Sequence, residues 1–177
     1  MAFASPEINL SELPLTAGLK VADFGAGSGA YALALARAVG DSGKVYAVEV
    51  QKELLTRLER EALSARLTNI IPQWGDIEVV GGSKLHDQSV DLVLMSNILF
   101  QLAGSYSAGL EAKRVLKPEG KLAIIEWDGA YGGLGPLPDK VVKPETAKQI
   151  MTEAGFNFMR EFSAGDHHYG LIFNLQS

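Results

Sequence analysis

Apolar, strand-like runs alternate with helical patterns along most of this chain, from Lys20 to Gly155. The runs are KVADFG, VYAVEV, NIIPQW, VDLVLMS and KLAIIEW, and helical spacing fills most of the gaps, most clearly from Gln51 to Arg66. Strands that are apolar throughout are buried on both faces, and strands separated by helices run parallel. The alternation therefore predicts a doubly wound, Rossmann-like α/β fold.

The pattern changes after the helical stretch PETAKQIMTEA. Two strand-like runs, FNFMREFS and YGLIFNL, flank the short segment AGDHH and are close enough in sequence to form a hairpin. We therefore expect a seven-stranded sheet that is mostly parallel, with an antiparallel C-terminal strand. A chain of 177 residues suits one domain, and we assign residues 1–177 to it.

Composition narrows the classes of partner. No apolar run approaches the ~20 residues of a membrane span, so we expect no membrane partner. A net charge of −5 argues against a general nucleic-acid binder, which usually presents a basic face. The absence of cysteine excludes disulfides and thiolate metal sites, and nothing suggests another metal site. The N-terminus lacks the pattern of a secretion signal, so cytoplasmic residence is the default expectation.

Three glycines lie in the stretch VADFGAGSGA, where a strand must turn sharply into the helix YALALARAV. Such a turn brings backbone N–H groups close to a ligand. With the spacing Gly25-x-Gly27-x-Gly29 it resembles the S-adenosylmethionine loop of methyltransferases. With the spacing Gly25-x-Gly27-x-x-Ala30 it also satisfies the dinucleotide fingerprint. The loop alone leaves both ligands open.

Acidic residues stand at or near the ends of three predicted strands, at the edge where an open parallel sheet binds its ligand. Glu49 ends the second strand and can accept both ribose hydroxyls of either ligand. Asp76 follows the third strand and can accept an adenine amino group, while Ile77 meets the ring. Asp23 adds a carboxylate close to the glycine turn. Carboxylates repel a pyrophosphate but suit a sulfonium and an ammonium, which favours S-adenosylmethionine.

At this point the chain resembles the class I S-adenosylmethionine-dependent methyltransferases, and among them the small methyltransferase-domain group that includes ubiquinone/menaquinone-biosynthesis enzymes. The matching stretches stand in family order and at family spacing: VADFGAGSG, VYAVEV, WGDIE, DLVLMSNILFQ and EAKRVLKPEGKLAIIEW. The resemblance implies S-adenosylmethionine as cofactor and a methyl acceptor as partner.

The resemblance also implies where the cofactor binds. The glycine loop cradles its methionine part, Glu49 binds ribose, Asp76 binds adenine, and the segment of Ser96 and Asn97 lines the methionyl end. The expected cofactor-binding residues are Asp23, Gly25, Ala26, Gly27, Gly29, Glu49, Val50, Asp76, Ile77 and Asn97.

Methyl transfer is an in-line displacement, so placing the nucleophile correctly supplies much of the catalysis and a general base is optional. Glu126 and Asp128 follow the fifth strand, and Asp166, His167 and His168 lie at the hairpin tip. We take Asp128, His167 and His168 as candidate catalytic residues. A strand-like backbone points neighbouring histidines to opposite faces, so at most one of the two acts. A polar hairpin tip without catalytic function is the alternative.

The acceptor and the cover of the site stay open. SNILF after the fourth strand differs from the Asn-Pro-Pro-Tyr sequence of enzymes that methylate adenine or glutamine, and arsenite methyltransferases need cysteines. A small molecule or a protein is the expected acceptor. Few residues precede the first strand, so the loop from Asp128 to Lys143, a second subunit of a homo-oligomer, or a large substrate must exclude water.

Two rival functions remain at this level: a nicotinamide-dependent oxidoreductase, and a binding module for S-adenosylmethionine without catalysis. Two further expectations concern single side chains. Trp74 is expected in the core, and the charged stretch EAKR, residues 111–114, is expected to be an exposed helix face.

Overall fold

The computed structural model describes residues 5–176. Within them the strands are β1 (Lys20–Phe24), β2 (Lys44–Glu49), β3 (Ile70–Trp74), β4 (Val90–Ser96), β5 (Leu116–Trp127), β6 (Phe156–Ser163) and β7 (His168–Leu175). The α-helices are α1 (Pro6–Ser11), α2 (Ala30–Val39), α3 (Lys52–Ser64), α4 (Ser105–Val115) and α5 (Pro144–Glu153). Short 3-10 turns cover Leu99–Gln101 and Pro138–Lys140.

The strands form one sheet in the order β3-β2-β1-β4-β5-β7-β6. The pairs from β3 to β5 are parallel, whereas β7 runs antiparallel to both β5 and β6. The predicted fold class, including the antiparallel C-terminal strand, is confirmed. The chain proceeds from β1 outward through β2 to β3 and then returns to β4 on the other side of β1. This reversal opens a crevice beyond the carboxyl ends of β1 and β4.

Alternating side chains of the strands build a core on each face of the sheet. Phe24, Met95 and Phe173 belong to the cluster under α4 and α5. Leu35 and Leu94 belong to the cluster on the opposite face, under α1 to α3. Because apolar residues serve both faces, the central strands are nearly continuous in apolar residues.

Helix α1 lies before the first strand, where the sequence pattern predicted no element. It packs against α2, and the buried Asn9 side-chain amide donates to the Tyr31 hydroxyl at 2.8 Å. Pro6 occupies the first helical turn, a position that suits proline because no N–H is needed there.

Strand β5 is longer than its apolar run predicted. Helix α4 ends at Val115 and β5 begins at Leu116, so KPEG lies within the strand rather than in a connection. Leu116 pairs with Val90, and the register then shifts before Lys121 pairs with Leu92. A local irregularity of this kind leaves no periodic signal in the sequence.

Between residues 5 and 176, no helix is both long enough and apolar enough to cross a membrane.

Candidate functional site

The glycine turn joins β1 to α2 with left-handed backbone at Gly25 (φ 73°), Gly27 (φ 54°) and Gly29 (φ 84°). The Gly25 and Ala26 amides donate to the Val48 carbonyl of β2 at 2.9 and 3.1 Å. These bonds hold the turn across the carboxyl ends of β1 and β2. Glycine adopts such backbone at little cost, whereas other residues are strained there.

The three glycines differ in what lies beside them. A Cβ on Gly25 would come within 2.7 Å of Ile98, and one on Gly29 would collide with Leu58 of α3. A Cβ on Gly27 would meet nothing closer than the Gly25 carbonyl oxygen at 3.8 Å. Gly29 therefore serves the packing of two helices, whereas Gly27 faces open space.

Two hollows adjoin this turn and share Gly25. The first, which we call the Asp76 hollow, is lined by Gly25, Val48, Glu49, Val50, Gly75, Asp76, Ile77, Glu78, Ile98 and Leu102. The second, the Tyr31 hollow of about 330 Å³, is lined by Pro6, Gly25, Ala26, Gly27, Ser28, Ala30, Tyr31, Ser96, Asn97 and Gln101. Eight of the ten residues expected at the cofactor line one hollow or the other; Asp23 and Gly29 do not.

Glu49 connects the two hollows. Its carboxylate is 7% exposed; Oε2 accepts the Gly27 amide and Oε1 accepts the Gln51 amide, both at 3.0 Å. An ionised carboxylate accepts about four hydrogen bonds, so each oxygen keeps capacity for a further donor. The side chain can thus hold the turn and bind a pair of hydroxyls at once.

Asp23 lies beneath the turn and is buried. Burial, together with the nearby charge of Glu49, raises the pKa of its carboxyl to about 7, against a lowering hydrogen bond from the Ala32 amide. Its Oδ2 has no hydrogen-bond partner, and neither do Ser96 Oγ and Asn97 Oδ1 at the Tyr31 hollow. Buried polar atoms are normally paired. Three unpaired ones at this end of the crevice are the pattern left for a ligand with several donors.

Asp76 is exposed at the rim of the first hollow, and its Oδ1 accepts the Glu78 amide at 2.9 Å. Ile77 beside it is buried and contributes an apolar wall. A planar ring that packed against Ile77 would have the Asp76 carboxylate at its edge.

Glu126, one of the acidic residues after β5, is fully buried. Its Oε2 accepts the Leu99 amide at 2.9 Å and Oε1 accepts the Trp127 amide at 2.8 Å. Burial raises the pKa of this carboxyl to about 7, although the surrounding amides oppose the change. Glu126 therefore holds the Leu99–Gln101 turn, whose neighbours Ile98 and Asn97 line the two hollows.

The candidate catalytic residues lie at the same end of the sheet as the two hollows, but they line neither of them. His168 is 6% exposed and stacks on Trp127 with ring centroids 4.1 Å apart. His167 packs on Tyr131 at 3.7 Å, and Asp128 Oδ1 accepts the Tyr131 hydroxyl at 2.5 Å. The expectation of a strand-like backbone at both histidines is wrong, because His167 has φ 71°.

His168 has a defined hydrogen-bonding state. Its Nδ1 lies 3.2 Å from the Asp166 carbonyl oxygen, and Nε2 has no partner. A carbonyl only accepts, so Nδ1 carries the proton and Nε2 presents a lone pair. Burial lowers the pKa of this imidazole, which keeps the ring neutral near pH 7.

The loop between β5 and α5 folds onto the hairpin tip instead of over the hollows. Lys143 Nζ donates to the Asp128 carbonyl at 2.6 Å, and a Cβ on Gly135 would meet the Trp127 ring. No residue from 129 to 143 lines either hollow, whereas Pro6 of α1 lines the Tyr31 hollow. Of the three covers expected, the loop therefore does not lie over the hollows, and a second subunit or a large substrate stays a prediction.

Two single-residue expectations are wrong. Trp74 ends the edge strand β3 and is 49% exposed, with Lys52 and Lys84 Nζ at 4.3 and 4.1 Å from the ring centroid. Glu111, in the stretch expected to be an exposed helix face, is 0% exposed. Among residues 5–176, no group of three or more His, Cys, Asp or Glu side chains is arranged to hold a metal ion.

The glycine turn and the acidic residues at the strand ends lie in a region of the chain that matches a known protein family. The family model "Methyltransferase domain" matches residues 15–168. The chain belongs to the class I S-adenosylmethionine-dependent methyltransferases. The match runs from the residues before β1 to the first residue of β7, so it includes every residue that lines the two hollows except Pro6.

Individual relatives agree with this family. The chain is 32% identical over 153 residues to a ubiquinone/menaquinone biosynthesis C-methyltransferase of Bordetella avium, covering 81% of this chain and 56% of that protein. It superposes on a SAM-dependent methyltransferase from Aquifex aeolicus with a TM-score of 0.87 and 31% identity, covering 95% and 88% of the two chains. A [4+2]-cyclase, SpnF, has a TM-score of 0.82 at 15% identity and covers 97% and 80%, which shows the methyltransferase fold alone.

The chain spans 34%, 56% and 32% of the length of three curated relatives that it matches.

Proposed function

We propose that this methyltransferase-family protein binds S-adenosylmethionine in the crevice and transfers its methyl group to a small molecule. One observation carries the proposal: acidic residues from the ends of β1, β2 and β3 surround a glycine turn that presents bare backbone. Glu49 and Asp76 line one hollow together with Gly25, and Asp23 lies next to Glu49 beneath the turn.

The residues present fit the cofactor at each end. The ribose hydroxyls suit the free lone pairs of Glu49, and the adenine amino group suits Asp76 with Ile77 against the ring. The ammonium group of the methionine part suits the unpaired oxygens of Ser96 and Asn97, which line the Tyr31 hollow, and the Asp23 carboxylate beneath the turn adds negative charge. Val50, Ala26 and Gly27 line the path between the two ends.

The same residues disfavour the nicotinamide alternative. A pyrophosphate at the glycine turn would lie close to both Glu49 and Asp23, and like charges at short range in a partly buried site repel strongly. A sulfonium and an ammonium are attracted there instead. The crevice therefore selects for a cationic nucleoside.

When bound, S-adenosylmethionine supplies a methyl group on a sulfonium that leaves as a neutral thioether. The protein binds and orients the cofactor and the acceptor, and it provides a group that takes the proton of the acceptor. Among the candidates Asp128, His167 and His168, we assign the proton to His168 Nε2, because that atom is an unpaired lone pair on a neutral ring. Since Nε2 is buried outside both hollows, this assignment requires the hairpin tip to move when the acceptor binds. The Asp128 carboxylate accepts a hydrogen bond from the Tyr131 hydroxyl, and the His167 ring packs on the Tyr131 ring.

A small-molecule acceptor accords with the curated relatives, among them a ubiquinone/menaquinone biosynthesis C-methyltransferase and an arsenite methyltransferase. Arsenite itself does not suit a chain without cysteine.

Calorimetric titration of the protein with S-adenosylhomocysteine and with NAD⁺ tests the cofactor assignment. We expect saturable binding of the first and none of the second; binding of NAD⁺ alone would overturn the proposal. Incubation with S-adenosylmethionine and a fractionated metabolite extract then separates an enzyme from a binding module. An enzyme releases S-adenosylhomocysteine in proportion to one fraction, and a binding module releases none.

A further inference from the structure

Glu111 is a buried carboxylate on α4 that is surrounded by donors from another part of the chain. Its Oε2 accepts the Gly81 amide at 2.6 Å, and its Oε1 accepts the Ser83 amide at 3.1 Å and the Ser83 hydroxyl. Arg114 of the same helix donates from Nε and Nη2 at 2.9 and 2.7 Å. A buried charge is stable only with such a complete set of partners.

The donors come from the loop that follows Asp76. The Asp76 amide donates to the Gly82 carbonyl at 3.0 Å, and the Gly82 amide donates to the Val79 carbonyl at 2.7 Å. A Cβ on Gly75 would lie 2.6 Å from the Gly82 carbonyl oxygen, so the two limbs of the loop touch. A displacement of Gly81 or Ser83 therefore also shifts the backbone of Asp76.

The same loop is attached to α4 a second time. Glu78, which lines the Asp76 hollow, accepts the Gly104 amide at the start of the helix at 2.6 Å. Glu78 therefore attaches the loop at the start of α4, and Glu111 attaches it two turns later. Two attachments to one rigid helix fix the orientation of the loop as well as its position.

The carboxylate of Glu111 is held in its charged form. Burial alone raises the pKa of a carboxyl, but the hydrogen bonds from Arg114, Ser83 and the Gly81 amide outweigh this and lower it. Arg114 is oriented in turn by Asp87 at 2.5 Å. The carboxylate is therefore charged near neutral pH and accepts all of these donors.

We propose that Glu111 is a positioning residue for base recognition, which holds the Gly81–Ser83 segment so that Asp76 meets the 6-amino group of a purine at the hollow. The proposal rests on the proposed function, because it assumes that the Asp76 hollow takes the adenine of the cofactor. Glu111 itself does not line that hollow and acts through the loop.

The experiment compares two probes that differ only at the position that Asp76 meets. S-adenosylhomocysteine carries a 6-amino donor, and its purine-riboside analogue has a hydrogen in place of that amino group and keeps N1 as an acceptor. The measured quantity is the ratio of their Kd values by calorimetry for the unaltered chain, Glu111→Gln and Ser83→Ala. In Glu111→Gln, the new side-chain NH2 group faces N–H and O–H donors whose hydrogen bonds the native carboxylate accepts. Ser83→Ala removes a single hydroxyl donor.

We expect Glu111→Gln to reduce the discrimination between the two probes by roughly tenfold, and Ser83→Ala to reduce it by a smaller factor. A general loss of stability lowers the affinity for both probes equally and leaves the ratio unchanged. If Glu111→Gln does not fold, Ser83→Ala carries the test, and an unaltered ratio in that variant overturns the proposal.

Glu61→Gln is the matched control, because Glu61 also pairs with an arginine of its own helix, at 2.8 Å, but lies on α3 away from the loop. It is expected to leave the ratio unchanged. If the unaltered chain binds neither probe, the proposed function fails; if it binds both with discrimination that Glu111→Gln preserves, the positioning proposal alone fails.

Discussion

The carboxylate of Glu49 accepts the amide of Gly27 at 3.0 Å, although the two residues are 22 positions apart in the chain. The bond ties the end of β2 to the middle of the glycine turn. A single side chain therefore fixes the shape of the turn and also lines the hollow where we propose that a ribose binds, so changes to Glu49 or Gly27 are expected to affect the same ligand.

Glu49→Gln is expected to weaken S-adenosylhomocysteine binding by about 10- to 100-fold, because hydrogen bonds to a charged group contribute ~1.5–3 kcal/mol. The amide also presents a donor toward either Gly27 or Gln51. Calorimetry measures the change. Glu53→Gln, an exposed acidic residue in the first turn of α3, serves as the control and is expected to bind normally. Equal affinity in both variants would contradict the assigned role.

Gly27→Ala is expected to fold but to bind S-adenosylhomocysteine at least about tenfold more weakly, because its methyl group enters the open space beside the turn. The left-handed backbone costs ~1–3 kcal/mol for a residue with a Cβ. Gly132→Ala isolates that cost, since Gly132 has almost the same φ (55°) and also has open space around it. Thermal denaturation should therefore show similar losses for the two variants, with weaker binding only for Gly27→Ala.

Affinity for S-adenosylhomocysteine is expected to rise as pH increases from 5.5 to 7.5. Burial and Glu49 raise the pKa of Asp23 to about 7, so the fraction of charged carboxylate that attracts an ammonium increases over this range. The slope approaches about tenfold per pH unit below the pKa. Asp23→Asn should flatten the curve, measured by calorimetry in matched buffers, and an unchanged slope would show that another group titrates.

His168→Gln is expected to slow methyl transfer by about 100-fold or more while S-adenosylhomocysteine binds with unchanged affinity, since a positioned base typically contributes 10²–10⁴-fold. Release of S-adenosylhomocysteine with the active metabolite fraction provides the rate. His86→Gln, in an exposed loop, is the control. Full activity of the His168 variant at every pH would leave His168 with a packing role against Trp127.

The fold could be predicted because its signals are local and repeated. Apolar runs and helical spacing recur at most strands and helices, and the three glycines mark a turn with left-handed backbone at the crevice. Helix α1 was missed because six residues carry too little periodicity, and its position depends on Asn9 meeting Tyr31.

The parts of the site that could not be predicted depend on contacts between distant residues. Glu111 was predicted to face solvent in the charged stretch EAKR, but its burial depends on donors from Gly81 and Ser83, which lie 30 and 28 residues earlier in the chain. Trp74 was predicted to lie in the core, but β3 is an edge strand of the sheet. The sequence of a single strand does not determine its position in the strand order. His167 lies in the hairpin turn as predicted, whereas His168 is already the first residue of β7. Their different surroundings arise from Tyr131 in the loop after β5 and from Trp127 at the end of β5.

Helix α1 has six residues, and a helix of that length is unstable in isolation. Pro6 at its start nevertheless lines the Tyr31 hollow, and the Tyr31 hydroxyl is bonded to Asn9. Opening of this helix would uncover the Tyr31 hollow, whereas no residue of α1 lines the Asp76 hollow. We expect the exchange rate of a bound ligand to follow the opening rate of α1, so that residence time and binding strength are set by separate parts of the chain.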